Sequence, residues 1–365
     1  MEYVQERVAT LHAFSDRVPD APTDSAAVVV PLTEREHASL AAERVFTTLE
    51  RIDPARVVVA LRASPDRVST VARWLDSFEL SPDVLWCNAP EVREELGAAG
   101  LNGPAGKGRD VWLALGVAAS EEYVVVHDAD TKTYSRAHVP RLLFPLAQGY
   151  DFSKGYYARV ENDRLYGRLF RLFYTPLVRA LDERHDEPVV DYLAAFRYAL
   201  AGEFAATSDL VRRLRAQRGW GLEVGTLGDA FTHAGFDGSA QVDLGQHEHD
   251  HRAVSGPQGL GDMCSEVATA LFQVVDDAGL SLDYDAVRER YRETADRLVR
   301  QYGTDAAFNG LDFDGAGERD QVATYADAIE PPGEDTRLPA WRDTTLDPET
   351  VVAASDRALD AAVDR

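Results

Sequence analysis

The chain has 365 residues, 62 acidic against 38 basic, for a formal charge of −24; three of its cations are lysines, Lys107, Lys132 and Lys154. Such a surplus of acid excludes recognition of duplex nucleic acid or an anionic membrane through a general positive field, because polyanions need a basic footprint. A hydrophobic share of 45%, with 14 Phe and 14 Tyr, excludes disorder along the whole chain. An acid-rich, lysine-poor composition suits a surface hydrated by carboxylates at high salt, and we read the chain as halophilic. Cys87 and Cys264 form neither a disulfide framework nor a C-x-x-C metal pattern. The charged N-terminus lacks the apolar core of a signal peptide, and no apolar run approaches a membrane span, so a cytoplasmic location is expected.

Residues 1–24 read as a lead-in ending in a Pro/Asp-rich break. Ala26–Leu32 is a short β-branched run with no alternation, the signature of a buried strand. Thr33-Glu34-Arg35-Glu36 reads as the start of a helix with Thr33 as cap, carrying Leu40, Val45 and Leu49. Arg56–Leu61 is a second buried strand, Val68–Phe78 a helix and Val84–Cys87 a short strand. A glycine-rich stretch from Gly97 to Gly108 precedes a helix over Asp110–Ala119. Tyr123–Val126 is a third valine-rich strand, ending in His127-Asp128-Ala129-Asp130. Buried strands alternating with helices predict an α/β fold with a mostly parallel sheet covered on both faces. Ligands in such sheets bind beyond the carboxyl ends of the strands. From residue 262 the pattern becomes helical, with helices over Met263–Val275, Tyr284–Arg300 and Pro348–Val363. The expected division is a lead-in (1–24), an α/β domain (25–261) and a helical extension with an acidic tail (262–365).

Asp128 and Asp130 stand two apart just past a buried strand, where two carboxylates are costly without a counter-cation. A divalent metal bridging a diphosphate would supply one. Two solvated loop acids are the plain alternative. The run Gly245-Gln246-His247-Glu248-His249-Asp250-His251 follows a strand over Ala240–Leu244. Continued as a strand, it would aim His247, His249 and His251 to one face. One imidazole facing the two aspartates would complete an Asp/His site suited to Mn²⁺. The loop Gly103–Arg109 does not meet the P-loop pattern, but its Lys107 could reach a diphosphate. Residues 153–179 carry six arginines or lysines against two acids, and Arg164, Arg168 and Arg171 fall at helical spacing, a basic face suited to a carboxylate or phosphate. Glu203 and Glu223 lie in glycine-flanked segments, Gly202–Thr207 and Gly219–Gly225, with an acid/base role open for either.

Taken together, these motifs resemble the glucosyl-3-phosphoglycerate synthase family of retaining GT-A glycosyltransferases, to which mannosyl-3-phosphoglycerate synthases are related. The resemblance runs through Val30–Glu34, Gly106-Lys107-Gly108, Asp128-Ala129-Asp130, Gly202–Ala206, Gly219–Gly225 and Gln241–Gly245 with its following His, and covers residues 26–275. It implies a GT-A core, a UDP- or GDP-hexose donor, and Mg²⁺ or Mn²⁺ on the donor diphosphate. Asp128, Ala129 and Asp130 match the family's D-x-D, with Asp128, Asp130 and His249 as metal ligands. Lys107 matches the lysine near the donor, Pro31, Leu32, Thr33 and Glu34 the nucleotide-edge loop, and Glu223 the acid at the sugar end. Arg164 matches the arginine of the acceptor loop, although the family's G-G-G-R-V-T-E is here Glu161-Asn162-Asp163-Arg164-Leu165-Tyr166-Gly167. His251 stands where the family has Asn, and Leu61–Pro65 replaces its D-S-x-S-T-D. The implied reaction moves glucose or mannose, with retention, to a small phosphorylated or carboxylate acceptor such as 3-phosphoglycerate. A homodimer is an open expectation. Two other readings stay open: a zinc hydrolase built on His247, His249 and His251, and a non-catalytic nucleotide-sugar-binding protein.

Overall fold

The computed structural model describes residues 4–250 and 257–363, apart from the side chains of 257–260. Its centre is an eight-stranded sheet formed by β1 (Ala9–Leu11), β2 (Ala26–Thr33), β3 (Arg56–Arg62), β4 (Asp83–Trp86), β5 (Tyr123–Val126), β6 (Phe152–Ala158), β9 (Phe204–Thr207) and β10 (Ser239–Gln246). β7 (Val160–Glu161) and β8 (Arg164–Leu165) make a separate two-stranded hairpin. The order in the sheet is β1-β10-β6-β9-β5-β2-β3-β4, and every pairing is parallel except those of β9 with β5 and β6. The valine runs of β2, β3 and β5 register side by side, Val28 against Val57 and Val125, and all three are buried. Covered on both faces, such strands have no polar side to alternate with.

Parallel strands deliver their carboxyl ends to one rim. That rim gathers the segments after β2 (Glu34), β3 (Ala63, Ser64), β5 (His127–Asp130), β6 (Arg159) and β10 (His247–His249). The reversed strand β9 brings its amino end, preceded by Gly202 and Glu203, to the same rim, with Phe204 opposite Val126. The helix Lys107–Ala118 packs on β2 and β3 and starts at this rim.

Four local readings change. The residues after Thr33 do not start a helix: Glu36 folds back to accept from the Thr33 backbone N–H (2.7 Å) and hydroxyl, and Leu40–Ile52 is capped instead by Ser39. Ala9–Leu11, in the lead-in, joins the sheet edge beside β10, a three-residue strand too short to leave a pattern. Arg164, Arg168 and Arg171 do not share a helix face. Arg164 lies in the hairpin, turned by Asn162 and Asp163 at φ 49° and 54°, which Asn and Asp tolerate better than most residues. Arg171 is buried against Glu318 of the C-terminal region at 2.7 Å. Finally, β10 stops at Gln246, so no strand continues through the histidine run.

The helices Pro257–Asp277, Tyr284–Asn309, Gly315–Ala326 and Pro348–Val363 share one buried cluster with the sheet. Trp341 stacks on Trp112 at 4.2 Å between ring centroids, and each indole N–H donates to a backbone carbonyl across the contact. Ser355, in the last helix, accepts the backbone N–H of Trp86 in β4. No described helix is long and apolar enough to cross a membrane.

Candidate active site

Lys107 opens its helix between two glycines that lie against the backbone of 217–219. A Cβ on Gly106 would fall 2.3 Å from the Arg218 carbonyl oxygen, and one on Gly108 1.8 Å from that of Gln217. Only glycine permits this approach, which fixes the direction of Lys107. Its ammonium lies 2.7 and 3.1 Å from the two oxygens of Asp128 and 3.3 Å from Glu223. Burial opposes the lysine charge, but Asp128 and Glu223 outweigh it and hold the pKa above the ordinary value. Asp128 is wedged from behind, since a Cβ on Gly202 would meet its Oδ2 at 2.7 Å.

Beside this triad, His249 Nδ1 lies 3.1 Å from Asp130 Oδ1. The segment after β10 is fastened to the D-x-D turn by Lys132 N–H donating to the Glu248 carbonyl and Asp250 N–H donating to the Asp130 carbonyl, both at 2.8 Å. Burial would raise Asp130, but His249 pulls it below the usual carboxylate range; the same contact raises His249 against its own burial. The backbone N–H of His249 donates to Glu161 of the hairpin at 3.4 Å.

His247, expected on the same open face, is fully buried. It stacks on Tyr157 at 3.9 Å, lies 3.7 Å from Glu203, and burial pushes its pKa down to about 2. It packs the floor of the site, which removes it from a three-histidine zinc cluster; His251 lies outside the described residues. Glu203 is equally buried, without a hydrogen-bond partner on either oxygen among the described residues, and its pKa is pushed up to about 6 by burial and by Asp128. Lys154 donates to the Ala201 carbonyl at 2.5 Å from a buried position that lowers its pKa to about 8.

Pro31, Leu32, Thr33 and Glu34 sit at the end of β2, as expected. Glu34 accepts from the Ser64 N–H and hydroxyl, both at 2.7 Å, which ties the β2 and β3 ends together and lowers the Glu34 pKa. Ala129 is buried between the two aspartates. The structure therefore gathers Lys107, Asp128 and Glu223 in one group and Asp130 and His249 in another. Arg164 stands apart, 63% exposed and 3.5 Å from Asp312 of the C-terminal region. Among the described residues no three acids, histidines or cysteines converge as a preformed metal cluster, because Asp128 is turned to Lys107. The sequence places Arg159 only within the basic stretch 153–179 and Glu161 only at the head of the acceptor loop, and it gives Tyr198 no role. The first two follow β6 directly, the same position after a parallel strand that singled out Asp128; Tyr198 carries no such signal.

A glucosyl-3-phosphoglycerate synthase from Methanococcoides burtonii is 33% identical to this chain, over 93% of both proteins. Another, from Persephonella marina, is 35% identical over 75% of this chain and 72% of its own length. The chain belongs to the glucosyl-3-phosphoglycerate synthase family. It is thus a glycosyltransferase. Its fold agrees with that of a solved glucosyl-3-phosphoglycerate synthase from Mycobacterium tuberculosis in complex with Mn²⁺, UDP-glucose and phosphoglyceric acid. The TM-score is 0.57 at 24% identity, with 76% of this chain and 89% of that one covered. A complex of the mycobacterial enzyme with Mn²⁺, UDP-glucose and glycerol 3-phosphate gives 0.55 at 23% identity, covering 76% and 90%. No family model matches the chain.

Proposed function

We propose that this member of the family transfers glucose from UDP-glucose to the hydroxyl of 3-phosphoglycerate, with retention at the anomeric carbon and with Mn²⁺ or Mg²⁺ bound. The observation that carries the proposal is the convergence of Lys107 on Asp128 and Glu223 beside the Asp130–His249 pair, on the one rim where the strands end. The solved relatives in complex with Mn²⁺, UDP-glucose and phosphoglycerate support this choice of donor, metal and acceptor.

The donor set fits a hard or borderline cation. Two ligands on one cation, at bonds of about 2.1 Å, stand roughly 3 Å apart, which is the separation of Asp130 Oδ1 and His249 Nδ1. Asp128 would be the third ligand once Lys107 releases one of its oxygens. A bound divalent cation supplies Lewis-acid stabilisation of the departing diphosphate. Lys107 is placed to hold the diphosphate from the helix N-terminus, where backbone N–H groups also favour an anion. Pro31–Glu34 would border the nucleotide, and Glu223, ion-paired with Lys107, would accept from hydroxyls of the transferred sugar. Arg164, exposed on the hairpin, would meet the acceptor's outer anionic group by leaving Asp312.

The test is release of UDP from UDP-glucose in molar salt, with 3-phosphoglycerate and Mn²⁺. Turnover that needs both, and that stops with a chelator, is expected. Equal turnover of GDP-mannose, or phosphatase activity with no donor, would overturn the choice of donor or the reaction class.

A further inference from the structure

Beyond that reaction, and resting on it, the structure assigns a second acceptor cation. We infer that Arg159 binds the carboxylate of the acceptor, next to the attacking hydroxyl, leaving Arg164 only the distal phosphate.

The argument starts from the chemistry of the acceptor. In 3-phosphoglycerate the one free hydroxyl is on the carbon that bears the carboxylate. When that hydroxyl attacks the anomeric carbon, the carboxylate lies within a bond or two of the reaction centre, whereas the phosphate points away. A cation for the carboxylate therefore has to stand beside the metal pair, in a strongly acidic surrounding that would otherwise repel it.

Arg159 meets that requirement. It follows β6 at the rim, directly after the strand whose Tyr157 ring stacks on His247. Its side chain is 16% exposed. It is linked to His249 through Glu161, whose carboxylate accepts from the His249 N–H at 3.4 Å and lies 3.9 Å from the guanidinium. Three other half-buried or buried arginines are held by acids at short range: Arg171 by Glu318 at 2.7 Å, Arg337 by Asp335 and Asp277 at 2.6 and 2.7 Å, Arg215 by Asp229 at 2.6 Å. Arg159 instead has the Tyr198 hydroxyl at 3.3 Å, the distant edge of Glu161, and a buried Nε with no hydrogen-bond partner among the described residues. A planar fork with an unused donor is what a carboxylate pairs with in bidentate fashion. Arg164 is opposite Glu161 in the hairpin, 63% exposed and paired with Asp312, which leaves it for the outer, phosphate end of the acceptor.

The experiment compares three acceptors on the full chain with UDP-glucose and Mn²⁺: 3-phosphoglycerate, glycerate, which keeps the carboxylate alone, and glycerol 3-phosphate, which keeps the phosphate alone. In Arg159→Gln, kcat/KM for 3-phosphoglycerate and glycerate should fall about tenfold or more, chiefly through KM, with glycerol 3-phosphate and the KM for UDP-glucose little changed. Arg159→Lys should recover part of the loss. Arg164→Gln should instead weaken the two phosphorylated acceptors and spare glycerate. A uniform loss on all three acceptors in Arg159→Gln, or none, overturns the assignment while leaving the reaction itself intact. Failure of the unaltered protein to glucosylate any of the three overturns the proposed function instead.

Discussion

At the scale of single residues, the site is a balance of close, partly buried opposite charges. Lys107 satisfies two carboxylates at once, so its removal leaves Asp128 and Glu223 facing each other without a cation and takes a charge from the diphosphate. Lys107→Met should lower kcat with UDP-glucose by about a hundredfold, the usual cost of one transition-state donor, measured by UDP release. Asp130 and His249 are separable from that group. Asp130→Asn or His249→Ala should weaken Mn²⁺ binding more than tenfold by paramagnetic resonance while leaving the folded signal unchanged; unaltered Mn²⁺ affinity in both would remove them from the metal site. His127 tests the floor of the site. It is buried, hydrogen-bonded to Tyr134 at 2.8 Å, and burial lowers its pKa to about 4. An unfolded histidine near 6.5 binds a proton that the folded one refuses, so this contribution is whole above pH 6.5 and is lost as the pH falls toward 4. The shift corresponds to about 3 kcal/mol. Denaturant midpoints taken from pH 7 to pH 4.5 should fall, and more gently in His127→Gln.

At the scale of elements, the placement of Lys107 depends on backbone contact between the start of its helix and residues 217–219. Gly108→Ala puts a methyl against the Gln217 carbonyl oxygen, where no flexible side chain can give way. The helix start must move, so activity should drop far more than the thermal midpoint does, a ratio that enzyme assay and calorimetry on the same preparation can establish. The middle of that helix is held by the Trp112–Trp341 stack. Trp341→Ala should cost about 3–5 kcal/mol and, by loosening the helix, some activity as well. These elements differ in how far the sequence announces them. The valine runs of β2, β3 and β5 and the helix Pro348–Val363 are readable because burial and period are written in consecutive residues. Asp128, Asp130, Lys107 and His249 are readable because each follows a recognisable strand or glycine turn. The break at Thr33–Ser39 is not, since Glu36 competes for the Thr33 donors and defeats the cap. Nor is the hairpin that separates Arg164 from Arg171, because arginine spacing looks helical whether or not a turn intervenes. The packing of His247 on Tyr157 joins residues ninety positions apart, a relation that no local pattern carries.

At the scale of the whole molecule, charge is distributed to a purpose. Residues 303–365 hold 15 acidic and five basic residues, while the three lysines all fall between 107 and 154. With a charge of −24, self-repulsion weakens the compact state, and salt relieves it. The Debye length shortens from about 10 Å at 0.1 M to about 3 Å at 1 M. The thermal midpoint should therefore rise between 0.1 and 2 M KCl, and a flat or falling midpoint would argue against a surface adapted to salt. The central claim remains the reaction: a retaining transfer of glucose to an anionic hydroxy acid on this rim. Its most direct test is proton NMR of the product formed from UDP-glucose and 3-phosphoglycerate with Mn²⁺ in molar salt. The account predicts an anomeric signal with the small coupling of an α-glucoside, absent in Asp130→Asn. A β-linked product, or no product from the unaltered chain, would contradict it.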